Sequence, residues 1–299
     1  MRNLEVISYV CGLIPSLVMS SLMIFLFVKF TRLRDLFCKL ITYIAIDDIF
    51  LFIFMLVDIL LIDFDSELYE MSNILCITLG SLITFCAILG NMLVFNIVLN
   101  IYKIDVKRDL NYKPKLFLFL SLLLSIVWVI IPIVFQSKAP RRGVCNDGSH
   151  ILVMFLYYMT IIFIFAFEGF YVISSFRLLN REIFIDHKRE DQKKEIKRRL
   201  ILFPLIMFTS WFLCCIISVI DIIFPNQDFY YWHLITTTLT CFQGVLNCIA
   251  YSYSHRNVRI ELKNIFCFCR RIEENNVIEE PLIPDYKEIE DEDEDNPIN

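Results

Sequence analysis

The feature that decides the fold is an uncharged run from Met71 to Tyr102, which reads MSNILCITLGSLITFCAILGNMLVFNIVLNIY. A helix needs about 20 mostly apolar residues to cross the hydrocarbon core of a membrane, and this run is longer than that. Apolar and polar residues do not alternate along it, as they would in a strand of a membrane barrel. The run therefore predicts a membrane-spanning α-helix.

Six further apolar runs accompany it, and two of them contain isolated carboxylates, at Asp47, Asp48 and Asp58 and at Glu168. Only 20% of the residues are charged and 57% are hydrophobic, whereas a soluble domain has about 25% charged residues. This composition excludes a soluble cytosolic enzyme, and neither a phosphate-binding glycine motif nor a nucleic-acid partner is indicated. The predicted fold is an all-α bundle of seven transmembrane helices. The spans, numbered 1 to 7, cover residues 6–30, 40–62, 74–102, 116–136, 151–178, 200–223 and 230–253.

The distribution of positive charge predicts the orientation of the bundle. All but Arg2, Lys138, Arg141 and Arg142 of the 28 Lys and Arg residues follow spans 1, 3, 5 and 7. Because cytoplasmic loops are enriched in Lys and Arg, the N-terminus should lie outside and the C-terminus inside. The longest loop, Leu179–Arg199, is charged throughout and should extend spans 5 and 6 as helix.

The C-terminal region divides into two parts. Val258, Leu262, Ile265 and Phe266 share one helical face, which predicts a short amphipathic helix on the inner membrane surface. Cys267 and Cys269 follow it and are either acylated or two free cytosolic thiols. Residues 1–271 are expected to form the membrane domain, and residues 272–299 a disordered acidic tail.

The topology sorts the cysteines by redox compartment. Only Cys76 and Cys145 fall clearly on the oxidising side, so a disulfide between them is predicted. Cysteines in the middle of a span are expected to act as small packing residues, namely Cys86, Cys214, Cys215, Cys241 and Cys248.

Polar side chains inside the membrane are costly and therefore mark candidate functional positions. Span 7 carries a polar stripe along one helical face: Thr236, Thr240, Gln243, Asn247 and Tyr251. Asp47, near the middle of span 2, is the expected hydrogen-bond partner of Asn247. The adjacent Asp48 points about 100° away around the helix, so one of the two should be the less buried. The stripe is either a polar switch or a set of bonds that merely hold the helices together.

Proline residues weaken two spans. Pro132 and Pro204 each remove a hydrogen bond within a helix, in spans 4 and 6. Pro204 precedes Trp211 and is placed where a kink would let the inner end of span 6 swing. A static bend is the alternative, because proline is common in membrane helices.

Together these residues resemble a G-protein-coupled receptor over about residues 5–270. The similarity rests on the Cys76–Cys145 pair, Trp128 with Pro132, Pro204 with Trp211, and the sequence Asn247-Cys-Ile-Ala-Tyr251. It is greatest to the cyclic-AMP-receptor-like group, through Phe203-Pro204-Leu205 and Leu246-Asn247. The rhodopsin-like pattern is not followed, because span 3 lacks Asp-Arg-Tyr and Cys248 replaces a proline.

This resemblance implies a plasma-membrane receptor that activates a heterotrimeric G protein and catalyses no chemistry of its own, without a cofactor. The implied switch residues are Asp47, Pro204, Trp211, Asn247 and Tyr251. Candidate ligand-binding residues on the outer side are Asp58, Lys138, Arg141, Arg142, Asp221, His233 and Thr237. Candidate coupling residues on the inner side are Lys103, Lys107, Arg108, Lys197, Arg198 and Arg199.

Other classes of seven-span protein were weighed against the residues. A retinal protein needs a lysine within a span, and none is present. A zinc hydrolase needs clustered ligands, whereas His150, His187, His233 and His255 are distributed over both sides. A transporter or channel that uses Asp47, Asp58 and Glu168 as ion or proton sites is the alternative function.

The tail suggests how signalling could end. No Ser or Thr lies between His255 and Asn299, whereas Glu288–Asp295 is strongly acidic. Independently of phosphorylation, this fixed charge either competes with the G protein for the basic inner loops or recruits a basic partner constitutively. The alternative is a solvated tail that only aids solubility.

Overall fold

The computed structural model describes residues 2–33, 35–64, 73–107, 109, 112–134, 151–181, 187–224, 230–255 and 258–262. Within these ranges the chain is almost entirely helical and contains no strand. The all-α prediction is therefore confirmed for the part of the chain that is described.

The first five spans are long helices: Arg2–Lys29, Leu36–Phe64, Asn73–Asn100, Pro114–Val134 and Ile151–Arg181. Span 3 continues into a π-helical segment, Ile101–Val106. Span 6 consists of His187–Met207, a π-helical segment Phe208–Phe212, and Leu213–Ile223. Span 7 is a pair of helices, Tyr230–Cys241 and Gln243–Ser254.

Six of these helices are long and apolar enough to cross a membrane, and there are seven if the two halves of span 7 form one crossing. The two halves meet at Phe242 with a bend of 46°. The structure thus supports a multi-pass helical bundle with six to seven crossings. The bend and the π-helical segments were not predicted from the sequence.

Local chemistry explains several helix ends. Pro114 opens span 4, where its missing N–H costs nothing. Asp35 precedes span 2, and its Oδ1 accepts the backbone N–H of Cys38 at 2.7 Å as an N-cap. The charged loop also behaves as predicted in its described parts, because span 5 continues to Arg181 and span 6 begins at His187.

Span 3 occupies the centre of the bundle and contacts spans 2, 4, 5 and 6. Of its most apolar stretch, 67% is buried within the protein, against 17% for span 4. Span 4 instead exposes large apolar side chains such as Phe119 and Ile130. So much exposed apolar surface suits contact with lipid rather than with water.

Beyond span 7, residues 258–262 are helical. On the predicted apolar face, Val258 is fully buried and Leu262 is half-buried, whereas Ile260, which lies off that face, is exposed. Ile265 and Phe266 lie outside the described residues.

Candidate functional site

The centre of the site is Asp48 of span 2, which is completely buried. Its Oδ1 accepts a hydrogen bond from Gln243 Nε2 at 2.7 Å, and its Oδ2 accepts one from Asn247 Nδ2 at 2.9 Å. Both partners lie on the polar stripe of span 7 and are buried as well. The carboxylate therefore joins spans 2 and 7 through both of its oxygens.

Gln243 extends the connection to span 6. Its Oε1 accepts a hydrogen bond from the indole Nε1–H of Trp211 at 2.6 Å. Trp211 lies within the π-helical segment of span 6. A single chain of hydrogen bonds, Asp48–Gln243–Trp211, thus links spans 2, 7 and 6 in the interior. We call it the interior latch.

The irregular backbone of spans 6 and 7 is satisfied by side chains from neighbouring turns and helices. Thr240 Oγ1 donates to the backbone oxygen of Ser210 at 2.9 Å, within the π-helical segment. Ser16 Oγ of span 1 donates at 2.5 Å to the backbone oxygen of Cys241, beside the bend in span 7. Backbone groups released by a helix break must find such partners in a membrane, because water is absent there.

Glycines allow span 7 to approach its neighbours closely at the bend. A Cβ on Gly244 would lie 2.7 Å from Ser20 Oγ and 2.9 Å from the backbone oxygen of Ser16. A Cβ on Gly12 would lie 2.6 Å from Cys241 Cβ. Span 1 can pack against the break only because both positions lack a side chain.

The predicted pairing of Asp47 with Asn247 is wrong, because Asp48 is the partner of Asn247. Asp47 points instead toward span 3, where a Cβ on Gly90 would lie 2.8 Å from its Oδ2. Both aspartates are buried, at 4% exposure for Asp47 and 0% for Asp48, so the predicted difference in burial between them is small. Span 2 is packed between spans 1, 3 and 7, so two of its faces are internal at once.

Asp47 and Glu168 are buried carboxylates that differ from Asp48 in their hydrogen bonding. Asp47 Oδ2 and both carboxylate oxygens of Glu168 have no hydrogen-bond partner within the described residues. Glu168 is 1% exposed and lies one turn from Phe165, whose ring contacts Phe208 and Phe212. Asp47 contacts the Cys86 thiol, whereas Asp48 has a partner for each of its two oxygens. Asp58 is also buried, at 2% exposure.

The predicted coupling residues that are described meet at one end of the bundle, which we call the basic end. Lys103 pairs with Asp109 at 3.3 Å, and Lys107 lies 4.9 Å from the ring of Tyr102. The three basic residues at the start of span 6 reach three different spans. Lys197 donates to Asn180 Oδ1 of span 5, Arg198 covers Tyr253 of span 7, and Arg199 covers Phe37 of span 2.

A second cluster at the basic end, Asp35, Cys38 and His255, was not anticipated. Each offers one ligand atom, and these three atoms all lie within 4.8 Å of one another. Burial acts to raise the pKa of Asp35, but His255 and Cys38 outweigh it and hold that pKa below its usual value. The positions of the histidines alone did not indicate a cluster. The one available signal in the sequence was the spacing Asp35-x-x-Cys38 at the start of a helix. The third residue of the cluster, His255, lies far away along the chain.

The remaining predicted residues fall into two groups, those whose burial the structure describes and those that lie outside the described residues or side chains. Pro204 and Thr237 are half-buried, and Tyr251 is 1% exposed. The five cysteines predicted in the middle of spans are free thiols, and all but the half-buried Cys214 are buried. The predictions that fall on undescribed residues or side chains are Cys76, Arg108, Pro132, Lys138, Arg141, Arg142, Cys145, Asp221, His233, Cys267, Cys269 and the tail.

No protein-family model matches the chain, and no curated protein matches it.

Proposed function

We propose that this chain is a receptor of the G-protein-coupled type in the plasma membrane. It senses an extracellular ligand and activates a heterotrimeric G protein when the inner end of span 6 moves away from the bundle. In this proposal the basic end faces the cytoplasm, as the positive-inside rule predicts from the Lys and Arg distribution. The protein catalyses no covalent reaction.

The observation that carries the proposal is the interior latch. Its end in span 6, Trp211, sits where the backbone is already irregular, seven residues after Pro204. Proline and π-helical segments are places where a helix bends at low cost, and π-helical segments are frequent at functional sites. A hydrogen bond that holds such a place can favour one of two helix arrangements, which is what a switch requires.

The basic end supports the same proposal. Residues Lys197 to Arg199, near the inner end of span 6, contact spans 5, 7 and 2. A movement of that end of span 6 would therefore break all three contacts at the same time. That movement would expose positive charge to an anionic partner surface. The competing role for these residues is attraction to anionic lipid, at about 1 kcal/mol for each residue near the surface.

Ligand recognition is assigned in this proposal to the opposite end of the bundle. Of the candidate residues there, Asp58 and Thr237 have described side chains. Asp58 is buried on span 2, ten residues along the chain from Asp48. A ligand that altered the position of span 2 would therefore act on the helix that carries the latch.

The test is guanine-nucleotide exchange on purified heterotrimeric G proteins by the chain in nanodiscs, without added ligand. Trp211→Phe removes the indole donor and keeps an aromatic ring, so it should raise basal exchange several-fold for at least one G-protein class. Trp232→Phe is the matched control, because Trp232 is 57% exposed and lies outside the latch. Equal exchange by the folded wild-type and Trp211→Phe proteins with every G-protein class would contradict the proposal.

A proton- or ion-coupled transporter is the second candidate, and the unpartnered oxygens of Asp47 and Glu168 favour it. Intramembrane carboxylates of this kind mark proton and ion pathways in pumps and transporters. The measurement is flux of protons or monovalent cations into proteoliposomes. Flux that Glu168→Gln abolishes, together with an absence of nucleotide exchange, would select this function instead.

A further inference from the structure

The cluster of Asp35, Cys38 and His255 brings together two distant parts of the chain. Asp35 stands immediately before span 2, and Cys38 lies in the first turn of that helix. His255 follows the last residue of span 7, on extended backbone. The three side chains therefore meet where span 2 begins and span 7 ends.

The side chains of the cluster are only partly committed to other partners. His255 is 8% exposed, and its Nδ1 has no hydrogen-bond partner among the described residues. Its Nε2 lies 3.8 Å from Asp35 Oδ2, which is beyond hydrogen-bond distance. Burying an imidazole whose two nitrogens lack good hydrogen bonds destabilises the folded protein. A ligand bound to these nitrogens would remove part of this free-energy cost.

The set of donors selects the kind of ligand. A thiolate, an imidazole and a carboxylate are the three side-chain ligands that Zn²⁺ prefers. Bonds of about 2.0–2.3 Å in a tetrahedral site place the donor atoms roughly 3.5 Å apart. The donor atoms here lie within 4.8 Å of one another, so side-chain rotations that close them by about 1 Å would complete three positions. A fourth position is left for water.

The surroundings suit a cation at this point. Asp35 Oδ1 holds the backbone N–H of Cys38 at 2.7 Å, which fixes the carboxylate beside the thiol. Hydrogen bonds of this kind orient metal ligands. Of the positive charges around the cluster, Arg199 acts on the Cys38 thiol and is itself paired with Glu195 at 2.5 Å. The Asp35 side chain is 39% exposed, which provides a path for an ion to enter.

We infer that Asp35, Cys38 and His255 form a zinc-binding site that joins the start of span 2 to the end of span 7. The inference does not depend on the proposed function, since it concerns metal binding only. Bound zinc would stabilise the arrangement in which these two helix ends are together. It would therefore bias any motion of span 7 relative to span 2.

The test is a titration of the purified full chain in nanodiscs with Co²⁺ as a spectroscopic probe, followed by displacement with Zn²⁺. The background variant is Cys267→Ser with Cys269→Ser, because those thiols could also bind metal. We expect one Co²⁺ per chain and a thiolate-to-cobalt absorption band that Cys38→Ser abolishes. His255→Ala and Asp35→Ala should weaken Zn²⁺ binding by at least about tenfold, because even residues behind the ligands contribute that much.

The control is Cys11→Ser, which removes an exposed free thiol outside the cluster and should leave the titration unchanged. Zinc X-ray absorption of the background protein provides a measurement that does not depend on whether the variants fold, and one sulfur ligand is expected. The inference is overturned if the folded background protein shows no thiolate band. It is equally overturned if the band persists in Cys38→Ser, or if the absorption spectrum shows no sulfur or two sulfur ligands.

Discussion

Spans 3 and 7 both carry a series of buried polar side chains, but they satisfy them in different ways. In span 3, the side-chain amides of Asn91, Asn96 and Asn100 each donate to the backbone oxygen four residues earlier in the same helix. In span 7, Gln243 and Asn247 donate to Asp48 of another helix. Asn96 also donates to Ser121 Oγ of span 4 at 2.6 Å. Most of the hydrogen bonds of these asparagines therefore survive a movement of the neighbouring helices, whereas those of Gln243 and Asn247 to Asp48 do not.

The backbone shows the same contrast. Span 3 is an unbroken α-helix from Asn73 to Asn100, and its π-helical segment, Ile101–Val106, lies at its end. Span 7 is instead bent by 46° in its interior, and the π-helical segment of the adjoining span 6 lies between two α-helices. A helix whose side-chain amides donate mainly to its own backbone can serve as a fixed support. A helix whose polar groups depend on other helices reports on their positions, which is the property needed for transmission of a signal.

The largest expected effect separates the two adjacent aspartates. Asp48→Ala leaves the amides of Gln243 and Asn247 without an acceptor, so it should lower the free energy of unfolding by about 2–5 kcal/mol. Asp47→Ala removes a carboxylate that already has an unpartnered oxygen, and should cost less than half as much. Thermal unfolding in detergent measures both variants. Equal losses for the two would show that the latch does not stabilise the bundle.

A smaller effect is expected where span 7 touches span 1. Gly244→Ala should destabilise the protein by about 1–3 kcal/mol, because the new methyl group meets the backbone oxygen of Ser16 at 2.9 Å. Gly169→Ala is the matched control, since a Cβ there has nothing within 4 Å. That variant should be neutral or slightly stabilising in the same unfolding experiment. If neither substitution lowers the free energy of unfolding, span 7 does not pack closely against span 1 at the bend.

The contrast between spans 3 and 7 can be measured directly on two asparagines. Asn247→Ala leaves Asp48 Oδ2 unpaired and should cost about 1–3 kcal/mol. Asn91→Ala removes a bond within its own helix and should cost only about 0.6 kcal/mol, the average for a hydrogen bond inside a membrane protein. Chemical unfolding of the two variants under the same conditions gives the comparison. If Asn91→Ala lowered the free energy of unfolding more than Asn247→Ala, the assignment of span 3 as the fixed support and span 7 as the signalling helix would be wrong.

The smallest expected effect lies at the basic end. Lys103→Gln breaks the pair with Asp109, whose side chains are 31% and 35% exposed, and should change stability by less than about 1 kcal/mol. Under the proposed function it should nevertheless reduce nucleotide exchange, and high salt should reduce the difference from wild type. A variant that exchanges nucleotide at the wild-type level in low salt would restrict Lys103 to a role in topology.

Much of the architecture was determined by the sequence alone. The spans follow from the lengths of apolar runs, and the stripe of span 7 follows from helical periodicity. Both are local properties, because a bilayer imposes the same requirement on every crossing helix. The helical extensions of spans 5 and 6 and the packing role of the mid-span cysteines were predictable for the same reason.

Only the tertiary structure decided which groups meet. Asp47 and Asp48 are adjacent and differ by about 100° around the helix, so the choice between them depends on the rotation of span 2 about its axis. That rotation is set by packing against spans 1, 3 and 7, and no local pattern encodes it. The approach of His255 to Asp35 and Cys38 has the same origin, since the residues are remote in sequence and only the closed bundle brings them within 4.8 Å. Beside the bend at Phe242, the backbone oxygen of Cys241 accepts a hydrogen bond from Ser16 Oγ, a partner that only another helix can supply.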